Sequence, residues 1–251
     1  MNLDPRAAAH AAAERAATFD GQHEHFAGFG VMALPFSTGH VLALRCWPAT
    51  TIGPPYASVS VRSPDGAWVI QTDAPPERSC PRYFSAAAAE IPAPQPIEVT
   101  WSGPGTLTVT IEDELEWHLA LRSTAATRLM SACAAAMSTR WWSDARVLSV
   151  MATAAGPLLG SGRVALQGTA PNGQWFRAAP RHMWLVASSS ARWRGLDLGS
   201  PAPLDRQAHL AQVPMPQRGI FFVGTAVFET FDPARHVGPL DEMTGTPRQL
   251  A

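Results

Sequence analysis

Lysine is absent from this chain. All 19 cationic side chains are arginine, which excludes mechanisms built on a lysine amine: Schiff-base catalysis, a P-loop lysine and a kinase-type phosphate lysine. Cysteine is scarce. Cys46, Cys80 and Cys133 contain no C-x-x-C pair, so neither a zinc knuckle nor a disulfide framework is supported, and a reducing cytoplasm is the expected compartment. Two tyrosines against nine tryptophans supply large apolar surfaces but few phenols for acid–base work. Excess charge of either sign is missing too: 19 arginines face 20 carboxylates, which rules out a general nucleic-acid binder. The least polar stretch, Val147–Gly160, contains Gly156-Pro157 and falls short of the ~20 residues needed to span a bilayer. Nor does the alanine-rich N-terminus qualify as a secretory signal, because Asp4, Arg6, His10, Glu14 and Arg15 interrupt it.

What is present is a core-forming composition. A chain of 251 residues that is 46% hydrophobic has the size of one large β domain or two smaller ones. The alanine-rich segment 5–18 reads as a helix with proline in its first turn. From Phe26 to Leu121 the pattern is β. Ser63-Pro64-Asp65-Gly66 and Ser102-Gly103-Pro104-Gly105 each join two strands as a hairpin. In Leu115–Leu121, Leu115, Trp117, Leu119 and Leu121 alternate with Glu116 and His118. Residues 124–155 lose proline and space their apolar residues helically, predicting two helices or one broken near Ser138-Thr139 and ending before Gly156-Pro157. β patterning then returns, with a hairpin at Pro171-Asn172-Gly173. Segment 204–217 reads as loop or short helix, and 219–228 is the most apolar strand. The divisions are an N-terminal helix and arm (1–25), a first β half (26–123), a helical insert (124–158), a second β half (159–230) and a flexible tail (231–251). The fold class is mainly β: a lipocalin-like, calycin-type barrel, or paired barrel or sandwich halves, with the insert as cover.

Several strands are apolar on both faces, so each is covered on both sides. One cover is the helical insert; the other is a packed interior or a cavity lined by Trp, Phe and Met. Arg45 lies in an apolar strand and needs a carboxylate or a bound anion; Asp73, Glu98 and Asp197 are its candidate partners. Glu112-Asp113-Glu114 reads as a solvated turn, while Glu116 and His118 share one strand face and are placed to cooperate. His23-Glu24-His25 puts two imidazoles on one side of an extended chain, but no third ligand follows at metal-site spacing, and no metal or cofactor is expected. Gly28–Ala33 matches G-x-G-x-x-A without the strand and helix a dinucleotide needs. Trp141-Trp142, between Arg140 and Arg146, suits a membrane-interface contact, a hydrophobic lid or simple packing on the sheet.

Gly39–Arg45, the hairpin spanning 56–73, Gly162–Gly168 and Ala191–Gly199 together resemble the lipocalin-like carotenoid 1,2-hydratases (hydroxyneurosporene synthases). The resemblance covers about residues 40–220 in organisation and implies a calycin-type barrel handling an isoprenoid or other long apolar molecule; it carries no site residue over. The organisation is also similar to acetoacetate-decarboxylase-like barrels, whose Schiff-base lysine cannot exist here. The sequence therefore leaves three readings: an enzyme acting by cofactor-free acid catalysis (hydration, isomerisation or cyclisation), a lipid or isoprenoid carrier, or a protein–protein module with apolar faces buried in a dimer. Under the first, Glu116, His118 and Asp197 are the catalytic candidates. Arg45, Trp47, Trp117, Trp141, Trp142, Trp184 and Phe222 are the ligand-binding candidates.

Overall fold

Apolar runs bounded by turn residues become strands in the computed structural model, which describes residues 4–14 and 21–238. β1 (Glu24–Pro35), β2 (Val41–Thr50), β3 (Tyr56–Arg62) and β4 (Trp68–Thr72) form one antiparallel meander. Its last hairpin is the expected Ser63–Gly66 turn, where Asp65 accepts the Ala67 N–H at 3.2 Å and Gly66 takes a φ of 101°. β5 (Ile97–Gly103), β6 (Thr106–Ile111) and β7 (Leu115–Arg122) form a second meander, which continues into the 19-residue β9 (Trp175–Trp193). β13 (Ile220–Phe228) lies between β1 and β9 and pairs with both. The order is β4-β3-β2-β1-β13-β9-β7-β6-β5, and short β8 (Gln167–Thr169) and β10 (Leu196–Asp197) complete an 11-stranded sheet. The two β runs of the sequence are thus one sheet, with the later run at its centre.

The sheet curls into a half-barrel. Trp101 on β5 lies 6.3 Å from the Phe29 ring on β1 and 5.8 Å from Phe221 on β13, although four strands separate β5 from β1 in the sheet order. The enclosed face is filled by a core that includes Leu44, Val59, Leu107, Trp117, Leu119, Trp184 and Phe221, and α1 (Pro5–Glu14) adds Ala8 to it. Glycine permits the bend. A Cβ on Gly30 would lie 2.1 Å from the Leu44 carbonyl oxygen, and one on Gly224 would lie 2.2 Å from that of Ala179. The pairing of β13 with β9 slips at Val223/Gly224, opposite Pro180, and such a bulge tolerates a proline inside a central strand while adding twist. Arg194, in the β9–β10 turn, clasps the curl: it donates to Glu114 at 2.6 Å and to both Glu90 oxygens at 2.8 and 3.1 Å. Glu114 follows β6, whereas the Glu90 carbonyl accepts from Ile70 on β4, at the opposite end of the sheet order.

The outer face is covered by several pieces. The insert forms α3 (Ala125–Ala136), α4 (Thr139–Trp142) and α5 (Ala145–Leu159), broken at the expected place and again at Ser143-Asp144, where no break was expected. Thr124 and Thr127 make a capping box, Asp144 caps α5, and Gly160 ends it with a φ of 59°. α5 passes the expected stop at Gly156-Pro157 because Pro157 lies in the last turn, where the chain already folds back and the Ser161 N–H reaches the Gly156 carbonyl. The short α2 (Pro81–Phe84) also covers this face, as does a hairpin of β11 (His209–Leu210) and β12 (Val213–Pro214), where loop or short helix was expected. Of the expected tail, 231–238 fold back: His236 is buried and the Val237 N–H bonds the Asn172 carbonyl at 3.0 Å. The rest of the tail, and residues 15–18 of the expected first helix, lie outside the described residues.

Candidate functional site

Strand alternation builds the site on the outer face. Leu42, Leu44 and Cys46 of β2 enter the enclosed core, so Ala43, Arg45 and Trp47 face the other way. There they line a cavity of about 140 Å³, shared with Phe222, Tyr56, Tyr83 and the β12 end of the cover. The remaining lining is aliphatic or aromatic apart from Ser60, Cys80 and Thr225. Among the described residues, no Asp, Glu or His lines it.

Arg45 is the charge in this apolar space. Nη1 donates to the carbonyls of Val31 at 2.7 Å and Leu44 at 2.8 Å, and Nη2 reaches Met32 at 3.4 Å. The guanidinium also lies 5.4 Å from the Phe222 ring centroid. Among the described residues no carboxylate pairs with it. Asp73, Glu98 and Asp197 are therefore not its partners, and Asp73 instead accepts the Ala57 N–H at 2.8 Å. Burial pulls the Arg45 pKa down, yet an arginine remains charged at neutral pH. Nearby, the Tyr56 hydroxyl and Cys80 sulfur are 3.8 Å apart, and burial pushes both their pKa values up. Neither is poised to give up a proton.

A second polar cluster positions the cavity wall. Glu24, read in sequence only as the spacer between two histidines, is buried. It accepts from Arg82 Nη2 at 2.6 Å and Nε at 3.3 Å, from the Tyr83 hydroxyl at 2.6 Å and from Gln174 Nε2 at 3.0 Å. Burial raises the Glu24 pKa, but the hydrogen bonds and the Arg82 charge outweigh it, leaving the carboxyl below its ordinary value. The cluster holds α2 on β1 and so fixes Tyr83 and Phe84 over the cavity. Its sequence signal is a carboxylate at a β1 position whose neighbours alternate inward, a pattern too common to single out.

The other expected site residues separate. Arg45, Trp47 and Phe222 come together in the cavity. Trp117 and Trp184 lie in the enclosed core, across the sheet. Trp142 is buried under Arg181, whose guanidinium is 5.1 Å from its ring, and Trp141 is 56% exposed on the insert. The catalytic candidates lie away from the cavity. Glu116 and His118 pair at 2.9 Å on β7 with side chains 58% and 49% exposed, and neither lines the cavity. Alternation that sends Trp117 into the core sends its neighbours to solvent. Asp197 is exposed on β10 and accepts the Gly199 N–H at 2.7 Å, as a turn residue does. Among the described residues, no group of three or more His, Cys, Asp or Glu could hold a metal ion.

Under the insert, a gap of about 10 Å³ continues from the cavity, sharing Met32, Val164 and Pro180 with it and lined further by Met130, Met151 and Met183. Methionine side chains reshape readily, so this seam is the compliant part of the wall.

No family model and no curated protein matches the sequence. Among solved structures, acetoacetate decarboxylase from Legionella pneumophila is similar with a TM-score of 0.38 and 10% identity, over 88% of this chain and 91% of that one. A likeness of that degree says nothing about chemistry.

Proposed function

We propose that this chain binds a small apolar molecule bearing an acid group in the outer-face cavity, and holds it without acid catalysis. The observation that carries the reading is Arg45: a cation with no carboxylate partner among the described residues, facing a space walled by Trp47, Phe222 and other apolar groups. Such a cation is stabilised by an anion that brings its own apolar body. A volume of about 140 Å³ resembles that of an apolar cavity able to hold benzene. It admits an aryl group, a short acyl chain or one end of an isoprenoid, and a longer tail requires the methionine seam to open. Each buried methylene contributes ~0.8 kcal/mol, and charge-assisted hydrogen bonds to Arg45 add roughly 1.5–3 kcal/mol. Acid catalysis needs a proton donor of suitable pKa at the ligand, and the lining offers only Tyr56, Tyr83 and Cys80, all pushed upward by burial. A dimer module would have no use for a charged cavity.

Quenching of tryptophan fluorescence by matched acid and alcohol pairs, octanoate with octanol and geranate with geraniol, tests this. The acids should bind about 10–100-fold more tightly, and Arg45→Met should erase that preference while leaving the fold intact by circular dichroism. Equal binding of acid and alcohol, or no binding of either, overturns the reading.

A further inference from the structure

The outer surface of the insert takes no part in the cavity. Leu129 on α3 is 60% exposed, Trp141 on α4 56%, and Val150 and Leu158 on α5 69% and 50%. These are four of the five exposed large apolar side chains among the described residues; the fifth is Leu196. α5 carries no charged residue after Arg146 in its first turn. The helices and their caps also carry an excess of positive charge. Residues 124–160 contain Arg128, Arg140 and Arg146 against Asp144 alone, a local charge of +2 in a chain whose total is −1. Asp144 is partly committed, accepting the N–H groups of Arg146 and Val147 as the α5 cap. None of these three arginines forms an ion pair among the described residues.

We propose that this face docks reversibly on an anionic membrane surface. Leu129, Trp141, Val150 and Leu158 enter the headgroup boundary, and Arg128, Arg140 and Arg146 meet lipid phosphates. Tryptophan beside arginine, as at Arg140-Trp141, suits that boundary, where an apolar ring and a hydrated charge are satisfied together. A second copy of the chain fits worse, since two faces that each carry Arg128, Arg140 and Arg146 against Asp144 repel across the contact. No described helix is long and apolar enough to cross a membrane, so the insert would lie on the surface. The inference stands apart from the Arg45 reading, because none of these side chains lines the cavity.

The test is co-sedimentation with phosphatidylcholine vesicles with and without phosphatidylglycerol. Binding should require phosphatidylglycerol and be reversed by high salt, since exposed charges are screened. Each of Arg128→Gln, Arg140→Gln and Arg146→Gln should weaken partitioning about five-fold. Trp141→Ala and Val150→Ser should weaken it as well, with circular dichroism and melting temperature unchanged because these positions are exposed. The emission of Trp141 should shift to the blue on binding, and Trp141→Phe should remove that shift. Equal pelleting with both vesicle types, or none, overturns the proposal. So does a concentration-dependent dimer, seen by sedimentation equilibrium without lipid, that Leu129→Ser dissolves.

Discussion

Replacing Glu24 by glutamine should be the most damaging polar substitution near the cavity. The change keeps the shape of the side chain but leaves the buried Arg82 guanidinium, now 2.6 Å from a carboxylate oxygen, facing a neutral amide. Glutamine also brings an NH₂ that only donates, so it must face either the Arg82 guanidinium or the position where Tyr83 and Gln174 now both donate to one Glu24 oxygen at 2.6 and 3.0 Å. Removing one partner of a buried pair costs about 3–5 kcal/mol; with the side chains of Arg82 and Glu24 still 19% and 11% exposed, the lower end applies, about 3 kcal/mol. For a chain of this size that is a fall of roughly 6–12 °C in Tm. The double variant Glu24→Gln/Arg82→Met should recover part of the loss, because no charge is then stranded. The pH dependence follows from the depressed Glu24 pKa. Its stabilisation is fully present above the unfolded carboxyl value, near 4.3, and is lost as pH falls through the lower folded value. The gap in Tm between wild type and Glu24→Gln should therefore stay constant from neutral pH down to about pH 5 and close only below about pH 4. Urea melts at several pH values measure this. A loss under about 1 kcal/mol at neutral pH, or a gap that widens on acidification, would refute the argument.

Two further outcomes follow from the fold. Glu116→Gln and His118→Ala should change stability by no more than about 0.5 kcal/mol and leave ligand quenching untouched, since exposed pairs contribute little; a loss of binding in either would return β7 to the site. Gly30→Ala should abolish soluble expression or lower Tm by ten degrees or more (on the order of 3 kcal/mol or above), because its Cβ would meet the Leu44 carbonyl oxygen at 2.1 Å; a near-normal melting curve would show that the strands can part there.

Local chemistry made much of this architecture readable in advance. Turns with obligatory residues, such as Ser63–Gly66 and Asn172-Gly173, and the proline-free stretch that became α3 to α5 could be placed from the chain alone. Alternation in Leu115–Leu121 was equally plain: it marked Glu116 and His118 as a pair without telling that their side of β7 meets water. The strand order was hidden, because pairing of β13 with β1 depends on which edges remain open once the two meanders form. The length of β9 was hidden as well, since Pro180 at a bulge and the serines at 188–190 interrupt the apolar pattern of a single strand. Arg45 could be flagged from sequence, but its partners are backbone carbonyls, and carbonyls leave no trace in the pattern of side chains.

The central place of β13 has a consequence for how the protein is made. Among the described residues it is the last strand of the sheet to leave the ribosome, and β1 and β9, its two neighbours, are translated before it. Without residues 220–228 the other strands make two incomplete sheets, each ending in an open edge of unpaired backbone beside apolar side chains. Closing them requires β1 to meet β13, strands far apart in the sequence, the kind of contact that forms slowly. The sheet therefore cannot be completed before residues 220–228 have emerged, and the waiting edges are where aggregation would begin.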